Sequence, residues 1–346
     1  MATPTFFEHN EIAAVISDVN PFQNFLLNFF GSEHLSPDEK INFDRISPDN
    51  RISVFVNPRR AGEVQKQRGF AVDSYKPGYI KDKDLVDPKH VFRRRAGQAF
   101  NAPLSPAQQY AAIVADLARG QVERLNRRLE LMAAQLLLGG AYNMTGKDLD
   151  VNVDFARNVD KTVTLTTTST WTTANSAVSP IDDLETWLNL TSSPVRTLIV
   201  GKLAWKAIRR DPKFDKLIYI DLMTRNQSSL NVGPQGMSPT GVVYRGNLVS
   251  AGVDIYTYTN TYTDPGTNAE VLYIPDDAVV GISDPSNGWR CYAPIWDAAA
   301  NFMPMPYFMK NWQEEDPGIP YIMLQSAPLL AHTKINSTFA VRTNAA

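Results

Sequence analysis

The chain has 346 residues, of which 43% are hydrophobic and 20% charged, a composition typical of a folded protein with a sizeable core. Its formal net charge of −2 disfavours a protein that grips duplex nucleic acid, because such proteins carry a basic excess that neutralises phosphate. The single cysteine excludes an internal disulfide framework, and the sequence contains neither an apolar run of membrane-spanning length nor a signal-peptide pattern. We therefore expect an intracellular product without a membrane span.

An aromatic-rich cluster near the N-terminus has the three- and four-residue spacing that predicts about two helical turns. It consists of Phe22, Phe25, Leu26, Phe29 and Phe30. So short a segment cannot form a core alone, so we expect it to dock on a larger surface. That surface is either the chain's own core or a neighbouring subunit that receives a terminal arm.

Residues 41–56 are predicted to be extended, with a turn at 48–50 and an alternating strand at 51–56. Residues 58–95 then contain eleven basic and five acidic side chains, a local surplus of about six positive charges. A long polar insertion of this kind is usually functional when ordered. It is either a solvated loop or a two-stranded arm that pairs with acidic groups on a neighbour. The candidate contact residues are Arg59, Arg60, Glu63, Lys66, Arg68, Lys76, Lys81 and Lys83.

The longest predicted element is an amphipathic helix over residues 104–140. Ser105 and Pro106 supply an N-cap and a proline at the first helical position, and glycines 139 and 140 supply a stop. Apolar residues recur every three or four positions on one face, and we expect a charged face opposite, made of Asp116, Arg119, Glu123, Arg127 and Glu130. The helix would be roughly 50 Å long and able to bend at Gly120.

After this helix, two alternating segments at 151–155 and 162–166 predict a hairpin whose turn lies at 158–161. From residue 180 to about 305, mixed helices and strands predict an α+β domain, with a Gly-, Pro- and Ser-rich surface loop at 226–240. The segment from residue 306 onward returns to extended character.

No catalytic or metal-binding constellation is evident in the sequence. The four histidines are far apart, Gly201-Lys202 lacks the other residues of a phosphate-binding loop, and the aspartate pairs 182–183 and 276–277 fit helix starts and turns. Cys291 fits a small buried hydrophobe better than a nucleophile. We therefore expect neither an enzyme nor a cofactor or metal site.

Several stretches spread over nearly the whole chain carry a family resemblance: residues 22–30, 61–69, 77–81, the 140–146 turn, 311–317 and 325–329. In this order they together resemble the phage lambda-type major capsid proteins (the major capsid protein E family). The resemblance implies an α+β fold of the Hong Kong 97 type. Its parts would be an N-terminal arm (1–49), an extended loop (50–100), a peripheral domain with the long spine helix (101–179), an axial domain (180–305) and a C-terminal segment returning to the peripheral domain (306–346).

The same resemblance implies a head-shell subunit of a tailed double-stranded DNA phage. Such a subunit self-assembles as hexamers and pentamers into an icosahedral shell in the host cytoplasm and becomes part of the virion. The implied partners are a portal protein, a scaffold protein, a trimeric cementing protein and the packaged DNA, bound without sequence specificity. No long leader precedes the arm, so we expect scaffolding from a separate protein.

Two alternatives stay open at this point. The first is a nanocompartment shell of the same fold (encapsulin-like), which would enclose a cargo enzyme in place of DNA. The second is an enzyme whose site lies within residues 180–305 and whose basic loop acts as a lid.

Overall fold

The computed structural model describes residues 24–46, 51–62, 64, 69–91, 105–147, 149–172, 178–214, 241–248, 251–284, 287–315 and 318–344. Within them the α-helices are α1 (Pro88–Val91), α2 (Pro106–Gly139), α3 (Pro180–Leu188) and α4 (Lys202–Ile208). The strands, in chain order, are β1 (Ser32–Leu35), β2 (Ile41–Ile46), β3 (Phe70–Tyr75), β4 (Ile80–Leu85), β5 (Ala141–Gly146), β6 (Leu149–Asp154), β7 (Thr162–Thr164), β8 (Thr197–Val200), β9 (Val242–Leu248), β10 (Val253–Tyr258), β11 (Thr261–Thr263), β12 (Glu270–Leu272), β13 (Ala278–Ile282), β14 (Gly288–Tyr292), β15 (Phe308–Gln313), β16 (Pro320–Ser326), β17 (Pro328–His332) and β18 (Phe339–Arg342).

Helix α2, the spine helix, has the ends that the sequence predicts. At its start the Ser105 side chain accepts from the Gln108 N–H and the Gln108 side chain accepts from the Ser105 N–H, which is a capping box. At its end Gly140 adopts φ 74°, a left-handed conformation that glycine tolerates. The buried Arg157 donates to the carbonyl oxygens of Leu137 and Leu138. A positively charged side chain thus supplies hydrogen bonds to carbonyl groups of the last helical turn.

The largest sheet has six strands in the order β7-β18-β13-β8-β10-β9. Side chains alternate between its two faces, as the pleat requires. On one face Ile199, Val280 and Ala340 join the core that surrounds the spine helix. On the other face their neighbours along the same strands join a second core with α3 and α4. The sheet is therefore covered on both faces.

Smaller sheets surround the spine helix. One has the order β1-β14-β17, and another has the order β15-β16-β4. The remaining strands form three two-stranded hairpins, β2–β3, β5–β6 and β11–β12. The side-chain amide of Gln121 on the spine helix donates to the backbone carbonyls of Asp82 on β4 and Ile322 on β16, so the helix lies directly against the β15-β16-β4 sheet.

Several local predictions are wrong. Residues 51–56 are not a strand in the structure, and they lie exposed. The predicted hairpin of 151–155 with 162–166 does not form, since β6 pairs with β5 while β7 pairs with β18. Residues 141–146, which the family resemblance suggested were a turn, are strand β5 in the structure because they pair with β6.

Two predicted helical features also differ from the structure. The aromatic segment makes a single 3₁₀ turn at Leu26–Phe29 in place of two α-helical turns. Glu130 was expected on the charged face, but it is fully buried. The predicted 226–240 loop lies outside the described residues.

Strand membership crosses the boundaries of the expected domains. The six-stranded sheet includes β7 and β18, which the sequence analysis assigned to the peripheral and C-terminal segments. Strand β14, from within 180–305, pairs with β1 and β17. The five-part division stays a prediction about how the shell is organised.

Candidate functional site

One buried carboxylate holds the N-terminal segment on the spine helix. The Glu130 side chain accepts hydrogen bonds from the backbone N–H groups of Phe25, Leu26 and Leu27 at 3.1, 2.8 and 3.0 Å. It also accepts from the Tyr258 hydroxyl at 2.8 Å. Burial raises the pKa of Glu130, although these hydrogen bonds oppose that shift. Within the described residues no cation pairs with it, so the N–H donors must satisfy the carboxylate.

The side chains of this segment pack on the same chain. The Phe25 ring lies 5.3 Å from that of Tyr256 and 5.8 Å from that of Tyr258. Leu26 and Phe30 are fully buried, Phe29 is half-buried, and the Phe30 ring meets His332 edge-on. In the structure these residues pack on the chain's own core, and a contact with a neighbouring subunit stays a prediction. Phe22 lies outside the described residues.

Strands β2 and β3 form a two-stranded hairpin, here called the arm, of which β3 falls within the basic segment 58–95. Its strands pair from Ile41 opposite Tyr75 at the base to Ile46 opposite Phe70 at the outer end, and Arg45 forms an ion pair with Asp73 at 2.5 Å. Beyond the hairpin, Ile52, Val54 and Phe55 are 65 to 103% exposed. We define the loop patch as the exposed apolar side chains Ile46, Ile52, Val54, Phe55, Val56, Val64, Phe70 and Val72. The arm therefore exposes apolar as well as basic side chains. The charged residues alone did not indicate this.

The predicted charged contact residues do not all lie on this arm. Arg59 and Arg60 are exposed on the loop, whereas Glu63, Lys66 and Arg68 are outside the described residues. Lys76 follows the hairpin base, where it pairs with Glu39 and lies over the Trp296 ring, 5.1 Å from its centroid.

Lys81 and Lys83 lie on β4, in a different sheet. The Lys81 ammonium is 5.3 Å from the Tyr79 ring centroid, and the Lys83 ammonium is 3.7 Å from that of Tyr321. Any contact that these lysines make between subunits stays a prediction.

A second exposed apolar patch lies beside the base of the hairpin. We define the base patch as Trp296, Phe302 and Met303, which are 60, 63 and 57% exposed. An isolated bridge between Pro294 and Pro304 closes the loop that carries them. The backbone N–H of Trp296 donates to the Tyr79 hydroxyl at 3.0 Å. Apolar residues flank three alanines in this stretch of the sequence, but that pattern alone does not indicate an exposed patch.

Phe302 and the preceding Asn301 have φ values of 55° and 53°. A left-handed conformation is uncommon for a side chain as bulky as phenylalanine, and it costs about 1–3 kcal/mol. Such strain is typical of functional segments.

The titratable groups that the sequence singled out are either buried or engaged in hydrogen bonds and ion pairs. Burial raises the pKa of the Cys291 thiol to about 12, which makes it a poor nucleophile, and burial with nearby Arg157 lowers the pKa of His332 to about 4. Asp183 accepts from the Trp171 indole, and Asp277 pairs with Arg342. Across the described ranges, no three His, Cys, Asp or Glu residues are grouped to hold a metal ion, and no helix is long and apolar enough to cross a membrane.

A groove of about 680 Å³ runs between the spine helix and the β5–β6 and β11–β12 hairpins. Arg124 at its wall is paired with Asp82 and Asp84, and Leu131, Met144 and Leu149 supply apolar lining. The groove combines paired charges with apolar side chains, an arrangement that fits packing between elements.

Comparison with known proteins gives one consistent result. The family model described as "Phage major capsid protein E" matches residues 8–343. The major capsid protein of Escherichia phage lambda is 27% identical over 312 residues, covering 88% of this chain and 89% of that protein. The corresponding protein of Escherichia phage N15 is 25% identical with the same coverage.

Solved structures agree with this result at the level of the fold. The crystal structure of a prophage capsid protein from E. coli CFT073 superposes with a TM-score of 0.75 at 20% identity, covering 97% of this chain and 99% of that one. The mature capsid of bacteriophage PhiM1 gives a TM-score of 0.52 at 13% identity, covering 95 and 91%.

Proposed function

Because the chain belongs to the phage major capsid protein E family and forms the icosahedral shell of a phage head, we propose that its extended loop is the clamp joining neighbouring subunits. The protein is thus a component of the virion capsid, and the Hong Kong 97-type α+β fold expected from the sequence is confirmed. What remains to be assigned is which surfaces make the contacts between subunits.

The observation that carries the clamp proposal is the exposure of the loop patch. Eight apolar side chains lie in solvent on one arm, far more than a soluble monomer normally displays on a single segment. Fully burying such a side chain contributes roughly 1.5–3 kcal/mol, whereas an exposed ion pair contributes about 0–1 kcal/mol. Burial of apolar loop residues therefore supplies most of the favourable free energy, and Arg59 and Arg60 supply orientation.

The energetic balance also favours many contacts acting together. Association costs about 4–15 kcal/mol in lost freedom, which is comparable with the free energy gained by burying only part of the loop patch. A contact that buries only a few of these side chains is accordingly marginal. A closed ring in which every subunit both gives and receives a loop raises the effective concentration of each contact.

The remaining partners are part of the same proposal. We infer that portal, scaffold and cementing proteins attach to the assembled shell and that packaged double-stranded DNA is enclosed without specific binding. The net charge of −2 supports the last point, because a container need not neutralise phosphate. No enzymatic activity enters this proposal. The family match disfavours the nanocompartment alternative, and DNA in purified shells would disfavour it further.

The clamp is tested by replacing Ile52, Val54 and Phe55 with serine in the full chain expressed with its scaffold. These side chains are exposed, so we expect an unchanged circular dichroism spectrum and melting temperature but loss of shells in electron micrographs. The matched control is Val159→Ser, another exposed apolar position (81%) away from the loop, which should assemble normally. Normal shells from the triple variant would overturn the clamp proposal.

A further inference from the structure

We propose that the loop patch of one copy docks on the base patch (Trp296, Phe302 and Met303) of the next copy, in a head-to-tail contact. This inference rests on the proposed function and names the surface that receives the clamp. Both patches are defined by exposed side chains of the same molecule, and each lacks an apolar cover in the described part of the chain.

Most of the loop patch lies at the opposite end of the hairpin from the base patch. Lys76 directly follows β3 at the base, and its ammonium lies over the Trp296 ring, which places the base patch beside Tyr75 and Ile41. The loop patch continues beyond the outer end, at Ile46 and Phe70. Strands of six residues separate these ends by about 17 Å. In the structure, the tip of the loop patch is therefore remote from the base patch of the same copy, and both are exposed.

A contact between unlike surfaces of identical subunits is heterologous, and repeating it generates a ring when the rotation closes. Tip-to-base docking is such a contact, because each copy offers a tip to one neighbour and a base to the other. The geometry thus fits rings of subunits, which is what hexamers and pentamers require. A symmetric tip-to-tip dimer would leave every base patch exposed.

The strain at the base patch also points to a partner. Asn301 and Phe302 are consecutive left-handed residues, and this backbone projects the Phe302 and Met303 side chains into solvent. A strained conformation that exposes apolar side chains does not benefit the free subunit. Covering Phe302 and Met303 with another molecule would compensate for it.

The chemistry of the base patch suits an apolar loop. Tryptophan and phenylalanine are frequent anchors at interfaces, and the flexible methionine side chain adapts to an irregular apolar surface. The lysines around the patch are already neutralised, because Lys76 pairs with Glu39 and Lys310 pairs with Asp297. Little net positive charge therefore opposes the approach of Arg59 and Arg60.

The contact is tested directly by cross-linking. A chain carrying Phe55→Cys and Met303→Cys, expressed with its scaffold, should form disulfide-linked ladders on denaturing gels after mild oxidation of its shells. The natural Cys291 is buried and should give no background. The control pair, Phe55→Cys with Val159→Cys, should stay monomeric on the gel. Shells that form without a 55–303 ladder would overturn this inference and leave the proposed function intact, whereas absence of shells from the unmodified chain would overturn the proposed function.

A second variant separates docking from folding. Phe302→Gly removes the side chain and relieves the left-handed strain, so the subunit's melting temperature should stay the same or rise while shell yield falls at least tenfold. Asn301→Gly relieves the same strain and keeps the base patch, so it should assemble normally. Normal shell yield from Phe302→Gly would contradict the docking.

Discussion

At Glu130 the chain keeps a carboxylate in its interior without a neutralising cation in the described residues. Such a group is costly to bury unless hydrogen bonds satisfy it. Here three consecutive backbone N–H groups and one tyrosine hydroxyl do so, and they would otherwise need other partners. The side chain thereby fixes which residues of the N-terminal segment face the spine helix.

We expect Glu130→Ala to lower the free energy of unfolding by about 3–5 kcal/mol, because it leaves several buried donors unsatisfied at about 1–3 kcal/mol each. Urea denaturation measures this change. Glu123→Ala is the control on the same helix, where an exposed ion pair with Arg127 is lost at a cost below about 1 kcal/mol. Equal effects from the two substitutions would mean that Glu130 does not anchor the segment.

His332 makes the stability depend on pH. Burial first, and the charge of Arg157 second, lower its pKa from 6.5 to about 4. The unfolded chain then binds a proton more readily than the folded one. The contribution of His332 to the free energy of unfolding is therefore fully present above about pH 6.5 and is lost as the pH falls towards 4. At 1.36 kcal/mol per pKa unit the loss is about 3 kcal/mol.

The measurement is the difference in unfolding free energy between the unmodified chain and His332→Gln across pH 4 to 7. This difference isolates His332 from the other titrating groups, including Glu130. On acidification the unmodified chain should lose its stability advantage over His332→Gln. A difference that is flat with pH would refute the linkage.

Among the elements, the spine helix runs through Gly120 without interruption. A Cβ added there would meet only the end of the flexible Arg124 side chain, at 3.7 Å. Gly120→Ala should therefore raise the free energy of unfolding by about 0.5–1 kcal/mol through helix propensity. Thermal denaturation tests this, with Ala111→Gly as the reverse control, which should lower stability by a similar amount. A loss of stability in Gly120→Ala would show that the folded helix needs glycine at this position.

The same helix shows what a sequence can predict about elements. Its capping box and its glycine stop are local signals, so its ends were predicted to within two residues. Glu130 could not be placed, because its burial depends on Phe25 and Tyr258, which are far away in sequence. The 51–56 segment has the composition of a strand but is not one in the structure, because strand pairing depends on residues that are distant in sequence.

The candidate surfaces were predictable only in part. The charge surplus and the family resemblance predict an arm, but only the pairing of β4 with β16 shows that Lys81 and Lys83 lie in a different sheet from the β2–β3 hairpin. The base patch depends on a left-handed turn at Asn301 and Phe302, which apolar composition does not reveal.

For the whole molecule, the spine helix supports one face of the six-stranded sheet and α3 with α4 cover the other. The subunit is thus a closed body whose largest apolar exposure, within the described residues, lies on its arm and beside the arm's base. Assembly can then proceed by placing one patch on another without opening either core.

The order of strands in the large sheet has a consequence for biosynthesis. Strand β18 lies between β7 and β13, although it is made long after both of them. Until the ribosome has delivered residues 339–342, the sheet has a gap and Arg157 lacks its contact with Thr338. Chains still being translated would accordingly remain incompletely folded and unable to join a growing shell. A truncated product that lacks β18 would be excluded from the shell for the same reason.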